Sequence, residues 1–268
     1  AVEAVIERSR ADRQKAIVFV TGVPGAGKTL VGLDVAARRR DLGDARAVFL
    51  SGNQPLVSVL QEALTRDELQ RKGPGARKGA IRQAVKPFIQ NIHHFRDEGV
   101  RKPNDAPYDH VVIFDEAQRA WDREMTADFM KRRKGIANFM QSEPEFLISY
   151  LDRHAEWAVI VCLVGGGQEI HRGEAGISAW LAAVGSGFPG WHTYISPDLH
   201  DSEYAAGSAI AELAEGATVV TDTRFHLATS MRSFRCEHVS AFVKAALDCD
   251  HDAAREHLRA VIQRYPVV

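Results

Sequence analysis

The sequence predicts an α/β fold, a central parallel sheet flanked by helices. Three observations carry that expectation. Apolar runs at 16–21, 46–51, 110–115, 157–164 and 191–195 are mostly continuous rather than alternating, as in strands covered on both faces. Helix-like stretches separate these runs, and strand alternating with helix implies parallel pairing through right-handed crossovers. The first run passes directly into a glycine-rich turn and then a helix.

In chain order, the charged stretch AVEAVIERSRADRQK is helix-like and is not a signal peptide. The strand at 16–21 precedes a helix at 28–41. The strand at 46–51 precedes a helix at 54–64. The strand at 110–115 is followed by helices at 126–140 and 144–155, with Pro144 suited to a first turn. Residues 65–86 and 185–222 break the pattern, apart from a short helix candidate at 202–214. Residues 237–263 read as helical, with Val239, Phe242, Val243 and Ala246 on one face.

The turn spells Gly22-Val23-Pro24-Gly25-Ala26-Gly27-Lys28-Thr29, followed by Leu30. This is the phosphate-binding pattern in its required place between strand and helix. The glycines let backbone N–H groups face a polyphosphate, and the helix start adds positive dipole. Lys28 is placed to reach the outer phosphates and Thr29 to hold Mg²⁺. The expectation is a P-loop NTPase that binds ATP and Mg²⁺.

Three further motifs follow. His110-Val-Val-Ile-Phe-Asp115-Glu116-Ala-Gln118 is an apolar strand ending in two carboxylates. Asp115 suits the metal and Glu116 the attacking water. Val161 to Ile170 is a buried strand ending in Gly165-Gly166-Gly167-Gln168, where an amide can sense the γ-phosphate or that water. Leu227 to Arg235 offers Arg232, since arginine suits the charge on a transferred phosphate. Ser51-Gly52-Asn53-Gln54-Pro55-Leu56 is a strand end opening a helix. Its polar groups suit a nucleic-acid phosphate, and Asn or Ser there also suits a helix cap.

Composition narrows the classes. The 268 residues are 45% hydrophobic and 26% charged, ordinary values for a globular protein. A net charge of -1 gives no global attraction to nucleic acid, so any such contact is local. No apolar run approaches the roughly 20 residues that span a bilayer. The three cysteines, Cys162, Cys236 and Cys249, are a sparse, odd set that suits a reducing cytosol. Cys236-Glu-His238 and Cys249-Asp-His251 are spaced too tightly for the usual zinc sites. The chain begins without Met and ends Arg264-Tyr-Pro-Val-Val268, so it is expected to be a piece of a longer protein.

In this order the motifs resemble the first motor domain of superfamily 1 helicases: GVPGAGKT motif I, SGNQPL motif Ia, FDEAQ motif II, VGGGQEI motif III and the Leu227–Ser233 segment motif IV. The strings VIFDEAQRAW and GGGQEIHRGEAGI resemble the bacterial Schlafen group 3-like DNA/RNA helicase domain family over about residues 16–240. The resemblance implies a RecA-like fold. It also implies Lys28 and Thr29 on phosphate and Mg²⁺, Asp115 as metal carboxylate, Glu116 as base, Gln168 as γ-phosphate sensor and Arg232 as arginine finger. The division it implies is 1–226, a RecA-like domain, and 227–268, the motif IV segment with the start of a truncated second domain. A lone motor domain is expected to bind nucleotide better than it hydrolyses it. Motif III departs from the family pattern, with glycines in place of its acidic element. The adenine-reading Gln expected upstream of motif I is not evident, and Gln14 lies close to the strand.

Single-stranded DNA or RNA is the expected partner, together with further domains of the same chain. The basic loop 71–79, with Arg71, Lys72, Arg77 and Lys78, is followed by Phe88, His93, His94 and Phe95. Basic groups interleaved with rings suit phosphate contact plus base stacking. A solvated loop beside core aromatics fits equally. Lys131-Arg132-Arg133-Lys134 reads as a solvated helix face and Trp121 as a packing residue. Two other classes use the same loop: a nucleotide-switched regulatory module that controls a partner domain without translocating, and a kinase. The Gln168 and Arg232 motifs argue against the kinase.

Overall fold

The computed structural model describes residues 1–40, 46–166, 173–230 and 237–262, with the backbone only at 237, 238 and 240. In order, the elements are α1 (Val2–Asp12), β1 (Lys15–Gly22), α2 (Lys28–Arg38), β2 (Ala47–Ser51), α3 (Gln54–Lys72), α4 (Lys78–Val85), β3 (Ile89–Asn91), α5 (Ile92–Arg101), β4 (Val111–Asp115), α6 (Arg123–Lys134), α7 (Glu143–Asp152), β5 (Ala158–Leu163), α8 (Gly176–Gly187), β6 (His192–Ile195), α9 (Gly207–Gly216), β7 (Val219–Thr221), β8 (His226–Leu227), α10 (Glu237–Leu247) and α11 (His251–Ile262).

The expected parallel sheet is present. Its order is β3-β2-β4-β5-β1-β6-β7, and every pairing is parallel. β8 adds to the end of β1, with Thr21 opposite His226 and Gly22 opposite Leu227. Side chains alternate between two cores, one on each face. Ile17, Phe19, Val112, Phe114, Ile160 and Cys162 pack with Phe95, Leu147, Trp180 and Leu213 on one side. Val18, Val20, Ile113, Val161 and Leu163 pack with Ile6, Val35 and Val57 on the other. Continuous apolar strands follow directly from this double burial.

Several boundaries differ from the sequence expectation. α3 runs to Lys72, held on its outer face by Glu62–Arg66 and Asp67–Arg71 pairs one turn apart. The basic loop therefore shrinks to 73–77, with Gly73 and Gly75 at φ 70° and 100°. α6 starts earlier than expected because the Asp122 carboxylate accepts from Met125 N–H, and it stops at Gly135 in the left-handed region. The helix expected at 202–214 is a single 3₁₀ turn, Ser202–Tyr204, before α9. The helix expected at 237–263 is two helices, broken at Cys249 with φ 57°. Cys249 is exposed and Cys162 is buried in β5, as expected of a small core residue, while Cys236 lies outside the described residues.

Candidate nucleotide site

The phosphate loop grows out of β1. Gly25 and Gly27 take φ 77° and 90°, a region that favours glycine, and so turn the chain between strand and helix. Gly27 caps α2, whose first N–H groups have no intrahelical partner. Val23 N–H donates to the Leu227 carbonyl at 3.1 Å, and the Ser230 hydroxyl to the Pro24 carbonyl at 2.9 Å. The segment after β8 thus lies along the loop. A Cβ on Gly22 would come within 2.7 Å of Leu227 Cβ, so that closeness requires glycine.

β5 separates β1 from β4, yet the site closes over its end. α2 lies tight against the sheet: a Cβ on Gly32 would come within 2.6 Å of Leu163 and 2.8 Å of Ile113. That approach brings the first turn of α2 to the end of β4. The Thr29 hydroxyl donates to the Asp115 carboxylate, with Oγ1 3.1 Å from Oδ1 and 3.3 Å from Oδ2. Lys28 Nζ donates to the Gly22 carbonyl at 2.6 Å and reaches the Val23 carbonyl at 3.4 Å. Burial lowers the Lys28 pKa, opposed by the charges of Glu116, Asp115 and Glu203. Burial and the neighbouring Glu116 raise Asp115 to about 6, against the Thr29 hydrogen bond and the Lys28 charge. Glu116 sits at φ 55°, a backbone state that a non-glycine residue holds only where the surroundings impose it.

Gln118 ties these parts together and was not singled out from the sequence. Gly165 N–H donates to its Oε1 at 3.0 Å, which fixes the amide orientation, because a backbone N–H can only donate. Its Nε2 then donates to Glu116 Oε2 at 2.6 Å. The polar amide two residues past Glu116 is the only sequence signal for this role. Glu203 and Tyr204 carried none: they arrive from a 3₁₀ turn after β6. Tyr204 is buried beside Gly22 and Glu203, and burial followed by the Glu203 charge pushes its hydroxyl pKa up.

Lys28, Thr29, Asp115 and Glu116 are therefore brought together around the loop spanning Gly22 to Leu30. Gln168 and Arg232 lie outside the described residues, but their flanks are fixed. Asp122 N–H donates to the Gly173 carbonyl at 2.9 Å and Ala175 N–H to the Ala120 carbonyl at 2.7 Å, so the chain after Gln168 returns beside the motif II segment. Ser230, two residues before Arg232, touches the loop. Gln14 precedes the opposite end of β1, about 25 Å from the loop by strand length, too far to read a base bound there.

The nucleic-acid candidates do not form one surface. Asn53 and Gln54 are exposed at the top of α3, where the Asn53 side chain caps the helix. Arg71 and Lys72 are at its far end, roughly 27 Å away along the helix axis. Arg71 pairs with Asp67, Lys72 with Glu68 and Lys78 with Glu62. Phe88 and Phe95 are core residues, which favours the reading of core aromatics beside a solvated loop over that of stacking rings. His93 stacks on Phe129 and packs against Trp121, and only His94 of this group is exposed. Residues 131–134 are exposed on α6, the solvated face expected.

A parallel α/β sheet with a phosphate loop after β1, and a carboxylate pair at the end of β4 two strands away, is the architecture of a P-loop-type helicase domain. The family model for the Schlafen group 3 DNA/RNA helicase domain matches residues 15–267, and the chain belongs to that family. Among solved structures, the helicase domain of Hef from Pyrococcus furiosus aligns with a TM-score of 0.40 and 13% identity, over 76% of this chain and 38% of that one. This chain thus spans well under half the length of that helicase structure. No curated protein matches.

Proposed function

We propose that this chain binds and hydrolyses ATP with Mg²⁺ as the first motor domain of a helicase-like protein acting on single-stranded nucleic acid. The observation that carries the reading is the Thr29–Asp115 contact at 3.1 Å beside Lys28. The Thr29 hydroxyl and the buried Asp115 carboxylate form a hard-oxygen donor set that would hold Mg²⁺, and the ion would offset phosphate charge there. Lys28 is held ready: its ammonium now satisfies loop carbonyls and can exchange them for phosphate oxygens. Glu116 takes the proton of the attacking water, and Gln118 holds its carboxylate in place. Gln168 and Arg232 keep their proposed roles as γ-phosphate sensor and arginine finger. Residues 1–226 are assigned to the motor domain, and residues 227–268 to the motif IV segment and the start of a second domain. Asn53 and Gln54 are the first candidates for the strand, with Arg71, Lys72, Arg77 and Lys78 a separate, weaker patch.

The test is Glu116→Gln in the full-length protein. Affinity for ATP should persist while phosphate release falls by about 10² or more. Wild-type turnover in that variant would remove Glu116 from the mechanism.

A further inference from the structure

Glu116 stands at the head of a strained turn. Its φ of 55° is followed by the 3₁₀ turn Ala117–Arg119, closed by Arg119 N–H on the Glu116 carbonyl at 2.9 Å. A backbone state of this kind persists only where its surroundings hold it from several sides. Near Glu116, the Gln118 amide binds both Glu116 and Gly165, and the Trp180 indole N–H donates to the Ala117 carbonyl at 2.9 Å. At the far end, Ala120 and Asp122 bond to Ala175 and Gly173, which pairs Trp121 with Glu174 as an antiparallel bridge.

From the core, Trp121 is gripped by Glu143, the first residue of α7. Glu143 N–H donates to the Trp121 carbonyl at 2.9 Å, and Glu143 Oε2 accepts from Trp121 N–H at 2.9 Å. The other oxygen, Oε1, accepts from Arg96 Nη1 at 2.9 Å. Arg96 on α5 is fully buried. Its Nη2 donates to His93 Nδ1 at 3.1 Å, since a guanidinium only donates, and its Cζ lies 4.7 Å from the Phe129 ring centre and 5.4 Å from that of Trp121. One carboxylate thus joins α5 to the backbone that leaves motif II. Apolar residues of like volume often replace a buried ion pair without loss of stability. What they do not supply is an acceptor for Trp121 N–H.

We infer that Glu143 is a positioning residue for the hydrolytic step, with Arg96 orienting its carboxylate. The pair holds Trp121 so that the turn keeps Glu116 in the strained conformation from which it takes the proton of the attacking water. The inference rests on the role proposed above for Glu116. Without the acceptor, Trp121 N–H is left unpaired in the core and turns to find another partner. The turn then relaxes and carries Glu116 toward an ordinary φ. Nucleotide affinity is set elsewhere, by Lys28, Thr29 and Asp115, so the loss falls on turnover.

The experiment compares two neutral double variants of the full-length protein, Arg96→Met with Glu143→Gln and Arg96→Met with Glu143→Met. Neither buries a charge, and they differ in the acceptor offered to Trp121. The Gln oxygen still accepts from Trp121 N–H, and its amide then faces His93 Nδ1, which lies 4.0 Å from Glu143 Oε1. Calorimetry reads Mg²⁺–ATP affinity, and phosphate release at saturating ATP reads turnover, both below the melting temperature of each variant. The Gln variant should keep turnover within about threefold of wild type, and the Met variant should lose about tenfold or more, with ATP affinity within about twofold in both. Arg96→Met with Glu143→Leu repeats the test in a different core shape if the Met pair melts too low. In a Glu116→Gln background the variants should turn over equally, because the residue they act through is gone. Equal turnover with Glu116 present, a difference that persists without it, or an affinity loss matching the turnover loss would overturn the inference and leave the site standing. Wild-type turnover in Glu116→Gln alone would overturn the role on which the inference rests.

Discussion

The Thr29 hydroxyl donates to the Asp115 carboxylate at 3.1 Å, although the strands that carry them are separated by β5. The contact exists because α2 crosses the sheet at contact distance, with Gly32 against Leu163 and Ile113. It joins the two motifs into one site and makes Asp115 a buried acid with little to neutralise it. Its pKa stands at about 6.

That elevation has a thermodynamic sign. The folded pKa is above the unfolded value, so the folded state binds the extra proton between about pH 4 and 6. Stability is lost as pH rises through that window. Asp109, raised to about 6 chiefly by burial, adds in the same direction. Without nucleotide or metal, Asp115→Asn should stabilise the protein by on the order of 1–3 kcal/mol at pH 7, and by much less at pH 4. Thermal melting at the two pH values reads the difference. Equal effects at both would show that Asp115 is ionised at an ordinary pKa.

Two loop glycines should fail for different reasons. Gly22→Ala drives a methyl into Leu227, 2.7 Å from its Cβ and 2.9 Å from its carbonyl oxygen. A cost of about 1–3 kcal/mol is expected, together with loss of the β1–β8 pairing. Gly27→Ala meets nothing within 4 Å, but its φ is 90°, so its cost of about 1–2 kcal/mol comes from the backbone. Leu227→Gly removes the nearest of these atoms, Cβ, and should partly relieve the Gly22→Ala clash while leaving Gly27→Ala unaffected. A double-mutant cycle by denaturant unfolding shows which coupling exists.

The Arg96–Glu143 pair is fully buried, with Nη1 2.9 Å from Oε1, and Glu143 Oε2 accepts from Trp121 N–H at 2.9 Å. It fixes the chain that leaves motif II. Glu143→Ala strands a buried guanidinium and should destabilise by about 3–5 kcal/mol. A change below about 1 kcal/mol would mean the guanidinium finds water.

Neutralising Arg71, Lys72, Arg77 and Lys78 together should weaken single-strand binding by less than about tenfold at physiological salt, because three of the four are paired to acids of α3. Fluorescence anisotropy with a labelled oligonucleotide measures it. A loss of about 10³ would make this patch the main strand contact.

Much of this architecture is legible in the residues. The strands that carry the site are continuous apolar runs, and Gly22 to Thr29 and Asp115-Glu116 announce phosphate chemistry by spacing alone. Other parts leave no comparable trace. β3 has three residues and β8 two, too few for any period to register. The length of α3 depends on outward ion pairs in a stretch whose Gly/Pro content reads as loop. Phe88 and Phe95 lie next to histidines and basic residues in sequence, but the sheet edge buries them. Glu203 comes to lie against Gly166 only through the path of the chain after β6, which no local pattern encodes.

The most direct measurement is titration of the full-length protein with Mg²⁺–ATP, wild type against Lys28→Ala. Lys28 is the loop's proposed charged contact for phosphate, and among the described residues it donates to the Gly22 and Val23 carbonyls. The expected result is micromolar-range binding by wild type and a loss of at least about 10²-fold in the variant, with an unchanged melting temperature. An affinity within about twofold of wild type would contradict the assignment of this loop as the nucleotide site.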